Sequence, residues 1–323
     1  MFYFTEDLIT AAQASALFPT SQNTFGTSVL IGFANEELLG KLVPKIHSVR
    51  EDFFGTTANI PLRSGVSRYP IPERALGNAL KDVFYVPNIT QPLVRYILSK
   101  VHVHDLQSFR GSTGTPGAFY MEGDMLVLTT PPQTVTGVEY LKVAFYQRPS
   151  QLVSTSACAK ITAITVGASQ TTLTLNTDLT SVLNVGDKID IQKARSPFLL
   201  WSTDVVIQTV SATQIVVNNV DIADEGGTAL PTVGDWVTKA LYCNIPMIPQ
   251  EFHPILSEMI AARTMKGLGD SEKLASANAG IAEMMNAAIK LIANRVEGEP
   301  DVVYDSQGIL SSVNVFGFRS VLR

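Results

Sequence analysis

Between about Thr155 and Ala240 the chain is dense in Thr, Val and Ile set in alternating runs, and this stretch constrains the fold more than any other. Ile161-Thr162-Ala163-Ile164, Thr172-Leu173-Thr174-Leu175 and Gln214-Ile215-Val216-Val217 repeat with a period of two. That period puts alternate side chains on opposite faces of a strand and is incompatible with a helical stripe. Two similar phrases, Val185-Gly186-Asp187-Lys188-Ile189 and Val233-Gly234-Asp235-Trp236-Val237, each place a Gly-Asp corner before a strand. The stretch therefore predicts an inserted small β-barrel of five to seven short strands. Cys158 and Cys243 stand at its two ends, at the hinge, and nothing in the sequence calls for a bond between them.

The flanks read differently. Thr5 followed by Glu6 and Asp7 predicts a helix start, with an end near Phe18 ahead of Pro19. Asn35 with Glu36 and Glu37 predicts the start of a second helix. Leu38, Leu42, Ile46, Val49 and Phe53 give it one apolar stripe, and Pro44 predicts a kink or break within it. From Ile60 to about Pro149 short extended runs are cut by Pro and Gly. Leu93–Val103 reads as one strand and Arg110–Gly117 as a loop. Ala118–Met121 and Met125–Leu128 read as a hairpin around Glu122-Gly123-Asp124, and Val138–Tyr146 as another strand. After Ile248-Pro249-Gln250-Glu251 an amphipathic helix runs through Phe252, Ile255, Leu256, Met259, Ile260 and Arg263 and stops at Gly267 and Gly269. Asp270 caps a further helix with an apolar face of Leu274, Ile281, Met285, Ala288 and Ile292, and the pair is expected to form an antiparallel hairpin.

The fold class expected is α+β: a helical-hairpin core with a β segment, an inserted barrel and an extended C-terminal arm. The boundaries are 1–154 for the N-terminal helices and β segment, 155–240 for the barrel, 241–296 for the helical hairpin and 297–323 for the arm. The arm carries Val313, Val315, Phe316, Phe318, Arg319, Val321 and Leu322, a set too apolar to be left in water, and these seven are the candidate partner-binding residues.

Composition bears on function. Of 323 residues only 16% are charged and 46% are hydrophobic, against about 25% charged in an ordinary soluble chain. Few surface charges fit a subunit covered by neighbours. The net charge of -5 argues against bulk electrostatic binding of nucleic acid. The start MFYFTEDLIT has neither the basic nor the apolar region of a secretory signal, and no apolar run reaches membrane-spanning length, so folding in a cytoplasm is expected.

No catalytic set stands out. His102-Val103-His104-Asp105 would put two imidazoles on one side of a strand, but a third ligand at a useful spacing is missing, with His47 and His253 in helices elsewhere. Asp187 and Asp235 are turn residues before they are an acid/base pair. The chain has no Gly-x-Ser-x-Gly, no phosphate-binding Gly loop with its Lys and no dinucleotide fingerprint. Phe119, Tyr120, Tyr140, Phe145 and Tyr146 fall at core spacing on strands. No catalytic residue, metal or cofactor is expected, and the chain is read as a non-enzyme.

Three phrases carry a resemblance. Ala118-Phe119-Tyr120-Met121-Glu122-Gly123-Asp124-Met125-Leu126-Val127-Leu128 precedes Pro131-Pro132. Leu141–Phe145 leads into Tyr146-Gln147-Arg148-Pro149. Pro249-Gln250-Glu251-Phe252-His253 precedes Ala261-Ala262 and Gly269-Asp270. In that order they resemble the head-to-tail adaptor (connector) proteins of tailed bacteriophages, over some two thirds of the chain; the inserted barrel departs from the minimal adaptor. The resemblance implies a virion structural protein in the neck: a homo-oligomeric ring, dodecameric in the family pattern, docked beneath the portal protein. The ring would extend the DNA channel, let DNA pass its lumen without specific binding, and offer a platform to a downstream tail or gatekeeper protein. It implies no membrane partner. The rival readings are another tail, collar or baseplate structural protein, and a glycan hydrolase, which would need a carboxylate pair in a cleft.

Overall fold

The computed structural model describes residues 3–16, 25–88, 91, 94–102, 104, 114–222 and 230–293. The chain divides into two compact units, Met1–Leu291 and Ile292–Arg323; all that follows concerns the described residues. The fold is mixed α+β with a closed six-stranded barrel and a few helices.

Helices open the chain. α1 spans Thr5–Ser15 and α2 spans Thr27–Glu37. A π-turn over Leu38–Leu42 leads into α3, Val43–Val49. Thr5 does not cap α1. Phe4 holds that position, and the Asp7 carboxylate accepts its N–H at 3.0 Å. Thr5 lies one residue inside the helix and donates its hydroxyl to Asn244 O at 3.1 Å, a tertiary bond that local spacing cannot reveal. Asn35 likewise does not start a helix. It sits inside α2, where its amide takes the Leu152 N–H at 2.6 Å and gives to the Leu152 carbonyl at 3.0 Å. Where a kink or break is expected at Pro44 the helical run continues through a π-turn just ahead of it; of the predicted stripe Leu38, Leu42, Ile46 and Phe53 are buried and Val49 is half-buried.

A β-sandwich follows. β1 is Gly55–Pro61, β2 Arg68–Pro70, β3 Ala75–Val86, β4 Tyr96–Ile97, β5 Ser99–Lys100, β6 Ala118–Glu122, β7 Met125–Leu128 and β8 Tyr140–Gln147. They form two four-stranded sheets, β1-β8-β3-β4 and β2-β7-β6-β5. Tyr69, Val83, Phe119, Leu126, Leu141, Val143 and Phe145 share one buried core between them. The β6–β7 hairpin turns at Gly123-Asp124, where Gly123 takes φ of 63°. The single strand expected over Leu93–Val103 is instead two short ones, β4 and β5, in different sheets. Leu98 between them is buried in the shared core, which forces the chain to cross from one sheet to the other.

β9, Gln151–Leu152, pairs in parallel with β16, Tyr242–Cys243, and these two strands root the insertion. Between them lie β10 Ala159–Val166, β11 Gln170–Leu175, β12 Lys188–Gln192, β13 Leu200–Ser211, β14 Gln214–Asn218, the one-turn helix α4 Asn219–Ile222 and β15 Trp236–Lys239. The barrel closes in the order β10-β11-β14-β13-β12-β15. Exchanging β10, β11 and β12 for β13, β14 and β15 leaves that ring order unchanged, so the barrel is two copies of one strand-strand-corner-strand unit. Hydrogen bonds at the corners repeat as well. Asp187 accepts the Asn184 N–H at 2.9 Å and Asp235 the Thr232 N–H at 2.8 Å. Gly186 N–H donates to Ile207 O at 2.9 Å and Gly234 N–H to Ile161 O at 2.8 Å. The glycines hold φ of 87° and 105°, a region that side chains disfavour. The barrel interior is Ile161, Leu173, Ile189, Ile191, Val205, Ile207, Ile215 and Val217, the inward half of each alternating run.

The barrel is fastened to its surroundings by buried polar bonds. Arg74, just before β3, ion-pairs with Asp190 of β12 and donates to Ser150 at 3.2 Å; Asp204 of β13 stands 3.5 Å from it. Asp190 also accepts the Asp204 N–H at 3.1 Å and the Leu241 N–H at 2.9 Å. Glu6 of α1 accepts from the Ser154 hydroxyl at 2.8 Å and the Thr155 N–H at 2.7 Å. Cys158, Phe198, Trp236 and Ile245 form a small apolar cluster against Phe4.

Candidate interaction groove

α5 spans His253–Leu268 and α6 spans Ser271–Ile292. α5 carries the buried residues Ile255, Leu256, Met259 and Ile260, and packs on α1 and α2. Gly269 ends it with φ of 77°, the left-handed stop that glycine adopts without strain. Asp270 then accepts the Lys273 N–H at 3.1 Å and starts α6, as its position after the glycines predicts.

The antiparallel hairpin expected of α5 and α6 is not a closely packed pair. α6 stands off α5, and a groove of about 990 Å³ opens between them and the α2–α3 segment. Its apolar lining comes from Phe33, Met259 and Ala262 on one side and Leu274, Ile281 and Met285 on the other. The α6 side chains that were to be a buried seam are therefore only half covered along Leu274–Met285, and burial resumes at Ala288.

The groove is basic at its edge. Lys41, Lys45, Arg263 and Lys266 line it, with Glu37 the one acid among the lining residues. Glu37 is buried and ion-paired on both sides. Its carboxylate meets Arg263 at 2.9 Å and Lys41 at 2.5 Å, which offsets the cost of keeping a charge from water. Arg263 also pairs with Glu36 and lies 5.0 Å over the Phe33 ring. Lys45 and Lys266 have no carboxylate partner among the described residues. Sequence reading placed Met259, Leu274, Ile281 and Met285 in a core and passed over Phe33, Lys41, Lys45 and Lys266. The four-residue spacing of Lys41 and Lys45 was the available signal for a basic edge.

The other candidates stay apart. His102 and His104 are exposed, and no group of three or more His, Cys, Asp or Glu side chains is placed to hold a metal ion among the described residues. Asp187 and Asp235 serve their separate corners. Cys158 and Cys243 are both buried as free thiols. Burial pushes the Cys158 thiol up to about 12, and burial with the neighbouring Cys158 pushes Cys243 well above its ordinary value, so neither is a ready nucleophile. Val313, Val315, Phe316, Phe318, Arg319, Val321 and Leu322 lie outside the described residues. No described helix is long and apolar enough to cross a membrane.

No known protein family matches the chain, and no curated protein matches it.

Proposed function

We propose that this chain is a structural protein of a tailed-phage virion, a head-to-tail adaptor that forms a ring beneath the portal and carries the next tail component. The observation that carries the reading is the placement of the three adaptor-like phrases. They fall on β6–β7, on the end of β8 and on α5–α6, all outside the barrel, and the barrel enters this frame through the adjacent strands β9 and β16. Such an arrangement suits a docking frame with a decoration set outside it. A charge-poor chain with an open apolar groove is also in keeping with a subunit that completes its surface against neighbours.

The C-terminal set Val313–Leu322 is assigned to portal contact in this reading. Deleting Gly308–Arg323 should abolish portal capture in a pull-down while the circular dichroism of the subunit stays unchanged; capture at the full-length level overturns the assignment. Mass photometry of the purified protein with and without portal should show a ring in the mixture, and absence of the protein from purified virus particles removes the adaptor reading as a whole. A tail, collar or baseplate role is favoured only by the Thr-rich barrel, and the same particle stoichiometry separates it.

A further inference from the structure

We infer that the groove between α5 and α6 is the seat for the acidic segment Glu297–Asp305 of a second copy of this chain. The inference rests on the adaptor reading for the presence of a neighbour.

Charge complementarity is the first support. The groove edge presents Lys41, Lys45, Arg263 and Lys266, and after Glu36 and Glu37 are set against them a basic excess remains in a chain whose net charge is -5. Between Val296 and Phe318 the sequence holds Glu297, Glu299, Asp301 and Asp305 and no Lys or Arg at all. Apolar fit is the second support. Val302, Val303 and Tyr304 stand among those acids, and the groove offers Phe33, Met259, Leu274, Ile281 and Met285 to side chains of that kind. Pro300 lacks an N–H and fixes its own φ, which suits a segment laid in a groove better than a helix interior. Reach is the third. Glu297–Asp305 lies four to twelve residues past Ala293 in the sequence, so its far end comes up to about 40 Å from the end of α6 when extended, enough to reach a neighbour packed beside that helix. The segment also ends before Val313–Leu322, so one arm can hold a neighbour with its first part and leave the second part for the portal.

Single-cysteine mixing tests the placement directly, because both native cysteines are buried. Chains bearing Ala282→Cys, an exposed position on the α6 wall, are mixed with chains bearing Val303→Cys under mild oxidation. A reducible heterodimer on a gel is expected. Adding Lys45→Glu and Lys266→Glu to the Ala282→Cys chain should lower its yield by about fivefold, since two exposed ion pairs are lost together. No heterodimer, or an equal yield from the charge-reversed chain, overturns the proposal. The assay contains neither portal nor virus particles. A cross-link that persists when portal capture fails refutes the portal assignment alone, and portal capture without the cross-link refutes this seat alone.

Discussion

At the scale of single residues the chain makes its firmest commitments where polar groups are buried. Arg74 and Asp190 are 2% and 0% exposed and come from sequence positions 116 apart. Removing one partner strands the other charge away from water. Arg74→Met should therefore destabilise the protein by about 3–5 kcal/mol, and Arg74→Met with Asp190→Asn, which removes the stranded charge and keeps an oxygen for the backbone N–H groups, should recover part of that loss. Paired urea titrations of the single and double variants check both expectations. His253 makes a second commitment. It accepts the Tyr3 N–H at its Nδ1 at 3.1 Å and faces the Ile248 carbonyl with Nε2 at 3.3 Å, which fixes the neutral ring. Burial lowers its pKa from 6.5 to about 4. The unfolded chain then binds a proton that the folded chain refuses, so stability falls as pH drops from 6.5 to about 4 and levels off below. A group shifted this far contributes about 3 kcal/mol to that slope. In His253→Asn, whose amide oxygen can still accept from Tyr3, the slope over that window should flatten; an unchanged slope in urea midpoints measured from pH 7 to 4 would refute the assignment. Such pairings were illegible beforehand, because nothing local marks Arg74 or His253 as different from a surface residue.

Among elements, legibility followed the range of the forces involved. Barrel strands, the β6–β7 hairpin and the stop of α5 with the start of α6 are set by alternation, by Gly123 and by Gly269 with Asp270, all within a few residues, and they could be read in advance. Gly269→Ala should cost about 1 kcal/mol, because alanine pays for the left-handed φ of 77° that glycine holds freely; thermal melts of the two proteins measure it. Asn35 misled because asparagine before two acids resembles a helix start, whereas here it closes both free backbone bonds of Leu152. Asn35→Ala should leave those two groups unsatisfied and cost about 2 kcal/mol, seen in chemical denaturation, with α2 itself intact by circular dichroism. The groove escaped notice for a related reason: the α6 face has the spacing of a packed seam, and only the third dimension shows that no described residue closes on part of it.

For the whole molecule, the inserted barrel is duplicated, yet its attachment is not symmetric. Asp190 lies in the first repeat and ion-pairs with Arg74 of the frame, while the matching Thr238 of the second repeat donates its hydroxyl to the Tyr242 carbonyl of β16 at 2.6 Å. The two repeats are thus attached by different bonds, an ion pair and a hydroxyl–carbonyl bond, while Val185 and Val233 stand exposed at both corners. The repeated Val-Gly-Asp phrase was visible in the sequence; the shared ring order that makes it a duplication was not, since strand neighbours are chosen by long-range pairing. The π-turn at Leu38–Leu42 carries a different lesson about the helical frame. Leu30, Ala34, Leu38, Leu42 and Ile46 are all buried at a strict spacing of four. On an unbroken α-helix that spacing drifts by about 40° at each step, so the last of the five would face away from the first. One wide turn rewinds the phase, and the stripe stays against a single core. Forcing the same residues into an unbroken α-helix would swing everything after Leu42 by about 100°, turning Ile46 out to water and carrying Lys45 off the rim it shares with Lys41, whereas deleting Gly40 would close the wide turn and keep the phase.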